Sequence, residues 1–188
     1  IGEKSNDPLA LSAAHLFLGM TARAVSDLSD ARSHLHQALR FSEASDSQWR
    51  FAYLLSELGH LELTEKNLPA AETLFQRSLE YFRDLDDVGN TSRTLILLGS
   101  TYLELGDPKQ AATCFYEVLR YSSAVHALPM TFEALVKIAL LLVDATQRSD
   151  AFYILKAVRS HPAIKQELRV RIEAILADMS KNSLLTTI

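Results

Sequence analysis

Cysteine occurs once in the 188 residues, at Cys114. No disulfide can form within the chain, and no cysteine cluster can hold zinc. This suits a reducing, cytoplasmic setting. Glycine (6) and proline (5) are scarce, which disfavours the many turns of an all-β fold. A basic run is also missing. The densest basic stretch, Lys165 to Arg171, is interrupted by Glu167, and the formal net charge is −4. Phosphate contacts dominate affinity for nucleic acid, so no direct nucleic-acid partner is expected. No apolar run approaches the roughly 20 residues that cross a bilayer, and no signal peptide is visible. The chain opens at Ile1 with residues that read like the middle of something. A longer parent chain is therefore expected, and the missing targeting signal says little about that parent.

Catalytic signatures are missing as well. There is no P-loop, no GxGxxG and no GxSxG. His34 and His36 are two apart, so on a helix they point to different sides and do not share a metal. His15 neighbours Gly19, which supplies no ligand. His60, His126 and His161 are isolated. Asp84, Asp86 and Asp87 lack the alternating ligands, Gly and terminal Glu of a calcium loop, and read as a capped, solvated turn. Cys114 stands beside Phe115 as a small packing residue. Trp49 and Phe51 open the third helix and are expected to pack over the turn that precedes it, with Trp49 in the core; a tryptophan exposed there would instead suit a contact site. Asn90-Thr91-Ser92 matches the glycosylation triplet, a pattern that also arises by chance. No metal, cofactor or enzymatic activity is expected.

What is present is an internal repeat. Leu18-Gly19, Leu58-Gly59 and Leu98-Gly99 lie 40 residues apart, with Ile138-Ala139 fourth in the series. Twelve residues after each small residue comes an alanine: Ala31, Ala71, Ala111, Ala151. Four further on stand Leu35, Phe75, Phe115 and Leu155, and three beyond those Ala38, Ser78, Val118 and Val158. Spacings of three and four share a helical face. Each unit therefore reads as two antiparallel helices. The small residue lets them approach closely, and the Leu or Phe fills the space between. One such pair cannot bury its own apolar face, so pairs must stack.

The predicted helices span 8–25 and 28–44, 47–65 and 68–84, 88–105 and 108–123, 128–145 and 148–160. The four repeats are then 8–45, 46–85, 86–125 and 126–161, within one domain over 1–188. Asp7-Pro8 and Asp107-Pro108 place a capping acid before a proline at the first helical position. Asn67 and Pro69 open another helix, Gly106 ends one, and His161-Pro162 stops another. A last amphipathic helix over 163–180, with Ile164, Leu168, Ile172, Ile175 and Leu176 on one face, is expected to cap the stack. Residues 181–188 form a short tail.

These registers resemble the tetratricopeptide repeat, whose consensus sets Leu-Gly and Tyr in the first helix and Ala, Phe and a small residue in the second. Leu95, Leu98, Gly99, Tyr102, Gly106-Asp107, Ala111 and Phe115 match it best. Leu55, Leu58, Gly59, Ala71 and Phe75 follow, and the outer repeats match less well. The common period is 34 residues, whereas this one is 40. Long repeats of this kind occur in polarity and G-protein regulator scaffolds and in the sensor regions of STAND-class regulators. HEAT repeats also have a period near 40, but the small-residue registers fit tetratricopeptide geometry better. The resemblance implies an all-α, right-handed α-solenoid.

It also implies a concave groove lined by the first helix of each pair. The places that match are Leu16, Met20 and Arg23; Tyr53, Ser56, His60 and Leu63; Arg93, Ile96, Ser100 and Leu103; Glu133, Val136, Leu140 and Val143. Leu16, Ser56, Ile96 and Val136 stand where a carboxylate clamp would begin, so binding of a chaperone tail is not expected. Two readings stay open. The groove takes an amphipathic helix or extended peptide of another protein, with acidic residues meeting Arg23 and Arg93. Alternatively these residues pack on neighbouring helices or on a domain of the same parent, and the array is a structural or sensor arm. Exposure of Leu9, Leu11, Leu16 and Phe17 would separate the two, and self-association through the first repeat is a further outcome.

Overall fold

A computed structural model describes residues 7–45, 47–125, 128–144 and 147–184. Among them nine helices follow one another: α1 (Pro8–Ala24), α2 (Leu28–Ala44), α3 (Gln48–Thr64), α4 (Leu68–Asp84), α5 (Val88–Glu104), α6 (Pro108–Val125), α7 (Leu128–Asp144), α8 (Arg148–Ser160) and α9 (Gln166–Leu184). The first eight lie within two residues of the predicted spans. α9 starts three residues later than expected, because Pro162 and the turn after it hold the chain out of helical geometry.

The ends are set by local chemistry. The Asp7, Asp27, Ser47 and Asp87 side chains accept hydrogen bonds from first-turn amides of α1, α2, α3 and α5, and Asp107 does the same for Gln110 at the start of α6. Each satisfies a donor that the helix leaves unpaired. The turns after α1, α3 and α5 place Ser26, Lys66 and Gly106 at φ 64, 63 and 78°. Left-handed backbone of this kind suits glycine and strains other residues, so only the third turn was legible as a glycine stop.

Every helix packs on the next, and α1 touches α3, α3 touches α5, and α5 touches α7. Helices whose next-but-one neighbours meet lie on the inside of a curved stack. The odd-numbered helices thus form the inner layer of an α-solenoid and the even-numbered ones the outer layer. The small-residue registers do what their spacing implies. A Cβ on Gly19 would stand 2.9 Å from Leu35 Cγ, one on Gly59 2.8 Å from Phe75 Cε1, and one on Gly99 2.5 Å from Phe115 Cε1. Leu35, Phe75, Phe115 and Leu155 are fully buried. The buried Ser12 and Ser78 hydroxyls tie the paired helices further, donating to Ala38 O and Ala52 O at 2.9 and 2.8 Å. Ile164, Ile172, Leu176 and Met179 close the core at the α9 end together with Leu155 and Val158 of α8.

Candidate functional site

The inner layer carries a charged cluster at its centre. Glu57, on α3, has a side chain only 1% exposed, and it accepts from Arg23 Nη2 of α1 at 3.2 Å and Arg93 Nη2 of α5 at 2.5 Å. Arg93 Nη1 also donates to the Tyr53 hydroxyl at 2.8 Å, and its guanidinium lies 5.3 Å from the Tyr53 ring centre. One carboxylate thereby clamps three successive inner helices. Burial opposes the Arg93 charge, but the Glu57 carboxylate and the Tyr53 hydroxyl hold its pKa above the usual value. Two cations on one anion leave the cluster with one net positive charge, set among apolar neighbours where charge is weakly screened.

His60, one turn along α3, faces this cluster. Burial and then the Arg23 charge push its pKa from 6.5 down to about 4, with Glu57 pulling the other way and Arg93 adding to the depression. Its Nδ1 is buried without a hydrogen-bond partner among the described residues. The native ring is neutral at a pH where the unfolded ring takes up a proton. Its contribution to stability is therefore complete above 6.5 and is lost as the pH falls toward 4. Between pH 7 and about 5 the loss is about 2 kcal/mol. Urea denaturation across that range should show this slope, and His60→Gln should flatten it. An equally steep slope in the variant would assign the loss to other groups.

The residues expected to line a groove lie on the same odd-numbered helices. Leu16, Ser56 and Val136 are buried; Met20, Arg23, Tyr53, His60, Leu63, Arg93, Ile96, Ser100, Leu103, Glu133, Leu140 and Val143 are half-buried. Leu16 belongs to the first core cluster, with Met20 and Tyr53 against it. Leu63, Ile96 and Leu103 pack on the central one, and Val136 belongs to the last, with Leu140 and Val143 against it. Ser56 Oγ lies 3.2 Å from Thr94 Oγ1 of α5. Ser100 bonds its own helix at Ile96 O. Glu133 accepts from Arg171 Nη1 of α9 at 2.9 and 3.2 Å, at the mouth of a cavity of about 500 Å³ floored by Phe132, Pro129 and Leu168. Most of these side chains are thus half-buried, and most already rest on a neighbouring residue.

Glu57 was not legible as a site residue, although it had a signal. The column 17, 57, 97, 137 holds Phe, Glu, Leu and Lys, so a single acid stands in that register, with Arg23 before it and Arg93 after it. Trp49 differs from its expected place in the core. It is 40% exposed, stacks on Tyr53 at 5.4 Å and donates from Nε1 to Asp87 Oδ2 at 2.8 Å. An indole N–H finds a polar partner rather than being buried bare, and Asp87 at the head of α5 supplies it. Phe51 meets Tyr81 of α4 edge-on at 5.4 Å.

The isolated groups also find their places. The His15 and His34 Nδ1 atoms are 2.9 Å apart across α1 and α2, a pairing between helices that spacing along one helix does not reveal. His36 is exposed on another side of α2. His161 lies against Phe132 at 4.9 Å, and His126 lies outside the described residues. Burial pushes the Cys114 thiol up to about 12, so it stays protonated at neutral pH and makes no thiolate nucleophile. Asn90 Nδ2 is held by Asp87 Oδ2 at 2.7 Å beside buried Thr91 and Ser92, which leaves the glycosylation triplet no free acceptor.

Residues 50–124 match the family model of the tetratricopeptide repeat. Among solved structures, BtubC (BKLC) from P. vanneervenii is 13% identical with a TM-score of 0.79, the alignment covering 94% of this chain and 76% of that one. A signal transduction ATPase with numerous domains (STAND) with a tetratricopeptide repeat sensor, from Pyrococcus horikoshii, is 16% identical with a TM-score of 0.77. There 94% of this chain aligns, and it spans 27% of that protein's length. At these identities the likeness establishes the fold. No curated protein matches the sequence. Among the described residues no helix is long and apolar enough to cross a membrane.

Proposed function

With residues 50–124 belonging to the tetratricopeptide repeat family, we propose that the chain is a non-catalytic interaction module that holds a peptide or protein segment along the inner layer. Tetratricopeptide repeats generally mediate contacts between proteins. The observation that carries the finer reading is the cluster of Arg23, Glu57 and Arg93, with its one net positive charge midway along a largely apolar set of positions. A ligand of complementary chemistry is an amphipathic helix or extended strand, apolar on one side with an acidic residue near its middle. The acid adds to the cluster rather than replacing Glu57, which already pairs with both arginines. The cytoplasm is the compartment in which this module would meet such a partner.

Ser100 is the position at which to test this. It is half-buried on α5, and among the described residues its hydroxyl bonds to its own helix, at Ile96 O. Ser100→Arg therefore adds bulk and charge to the inner face without uncoupling Glu57. Displayed peptide libraries selected against the native chain should enrich segments with apolar stripes and a central acid, and Ser100→Arg should weaken them at least about tenfold. Amide exchange should slow on α3 and α5 when they bind. Selected peptides that bind the variant equally, or protect only even-numbered helices, would overturn the groove.

A second reading has its own support. The sensor array of the STAND protein shares this fold, and the half-buried state of the inner side chains suits a structural arm. The chain would then pack against another domain of its own parent and hold it in one state.

A further inference from the structure

The outer edge of α1 exposes what its counterparts bury. Leu58, Leu98 and Ile138 are 3%, 4% and 5% exposed, yet Leu18, 40 residues before the first of them, is 46% exposed. Ala14 is exposed where Leu54, Thr94 and Ala134 are buried, and Phe17 is 72% exposed where Glu57 is fully buried. In the later pairs one kind of element does the covering: α2 lies on α3, α4 on α5, and α6 on α7. These three covering helices carry one stripe, Ala31-Leu35-Ala38-Leu39, Ala71-Phe75-Ser78-Leu79 and Ala111-Phe115-Val118-Leu119. Among the described residues no such helix lies on the outer edge of α1. The other end of the stack is finished differently. Apart from Val170, the exposed side of α9 is dominated by Glu167, Arg171, Glu173, Asp178 and Lys181. Water suits that end. It does not suit Phe17 and Leu18, neighbours on α1 that are 72% and 46% exposed.

We propose that this edge of α1 is a docking surface, distinct from the positions around Glu57, for a partner's helical hairpin. The hairpin would present a helix with the stripe Ala-x-x-x-Leu/Phe-x-x-small-Leu. The interface would continue, at the first helix, the one that the chain already makes three times within itself. Leu16, one residue away, is buried in the first core cluster, so the surface stands on a packed helix and needs no rearrangement to form.

The hairpin of the chain itself is the probe. A copy of residues 47–86 placed directly before Asp7 sets Asp7 where Asp87 stands in the native chain, each being the cap of the helix that follows. The extended protein should unfold in a single transition, with α1 amides exchanging about 100-fold more slowly than in the unextended chain. Phe17→Glu with Leu18→Glu should abolish both effects. The same pair of exposed substitutions should leave the circular dichroism and melting of the unextended chain unchanged. A copy that melts separately, or protection that survives the two glutamates, would overturn the proposal. So would an unextended chain that sediments as a dimer and is made monomeric by those glutamates, since a second copy would then be the occupant.

Discussion

Glu57→Ala should lower the stability of this chain by about 3 kcal/mol. Among the described residues Glu57 is the acid that Arg23 and Arg93 meet, and removing it leaves two half-buried cations facing each other without it. Breaking a buried ion pair typically costs 3–5 kcal/mol. The lower figure applies because the arginine side chains are 19% and 29% exposed and can turn toward water. Arg23→Ala alone should cost less than Glu57→Ala, since Glu57 keeps Arg93. Replacing all three groups by apolar ones, with Arg23→Met, Glu57→Leu and Arg93→Met, should recover most of the loss, because buried ion clusters give little net stability over good packing. Urea titrations of the four proteins decide the matter. A loss below about 1 kcal/mol for Glu57→Ala would mean that the cluster is solvated and that its charge is not available to a ligand in the way proposed.

Gly99→Ala should be the next most damaging of these changes, although alanine is the better helix former by about 1 kcal/mol. The added methyl would stand 2.5 Å from Phe115 Cε1 and 2.8 Å from Cζ, and Phe115 is fully buried. Overpacking of this kind costs 1–3 kcal/mol, and a rigid ring places it at the upper end, for a net loss of about 2 kcal/mol. Gly19→Ala should be close to neutral, because Leu35 at 2.9 Å has rotamers to use. The fourth pair already shows the solution: Ala139 faces the same register as Leu155, and both are fully buried. In a Phe115→Leu background, then, Gly99→Ala should cost little, giving a coupling of about 2 kcal/mol in a double-mutant cycle. Additive losses would mean that some contact other than the ring sets the glycine requirement.

The fold and its likeness to tetratricopeptide repeats were legible because they rest on local rules. Apolar spacing of three and four defines a helical face. A capping Asp before Pro marks a start, and a small residue that recurs every 40 positions marks close approach. Each of these signals lies within one helix pair. The resemblance assigned candidate groove positions to the odd-numbered helices, but it was silent on what each side chain already touches.

Stacking alone decided those contacts. It offset the helices so that Glu57 lies between residues 34 before and 36 after it, spacings that differ from the repeat period. It carried Trp49 out of the core to Asp87, 38 residues on. It also left Phe17 and Leu18 uncovered while hiding their counterparts. The sequence by itself determined the helices, the pairing within each unit and the need to stack. Which charges meet, and which apolar edge stays open, followed from the offset between neighbouring pairs. That offset is a sum over packing contacts along whole helices, and no short stretch of sequence encodes it.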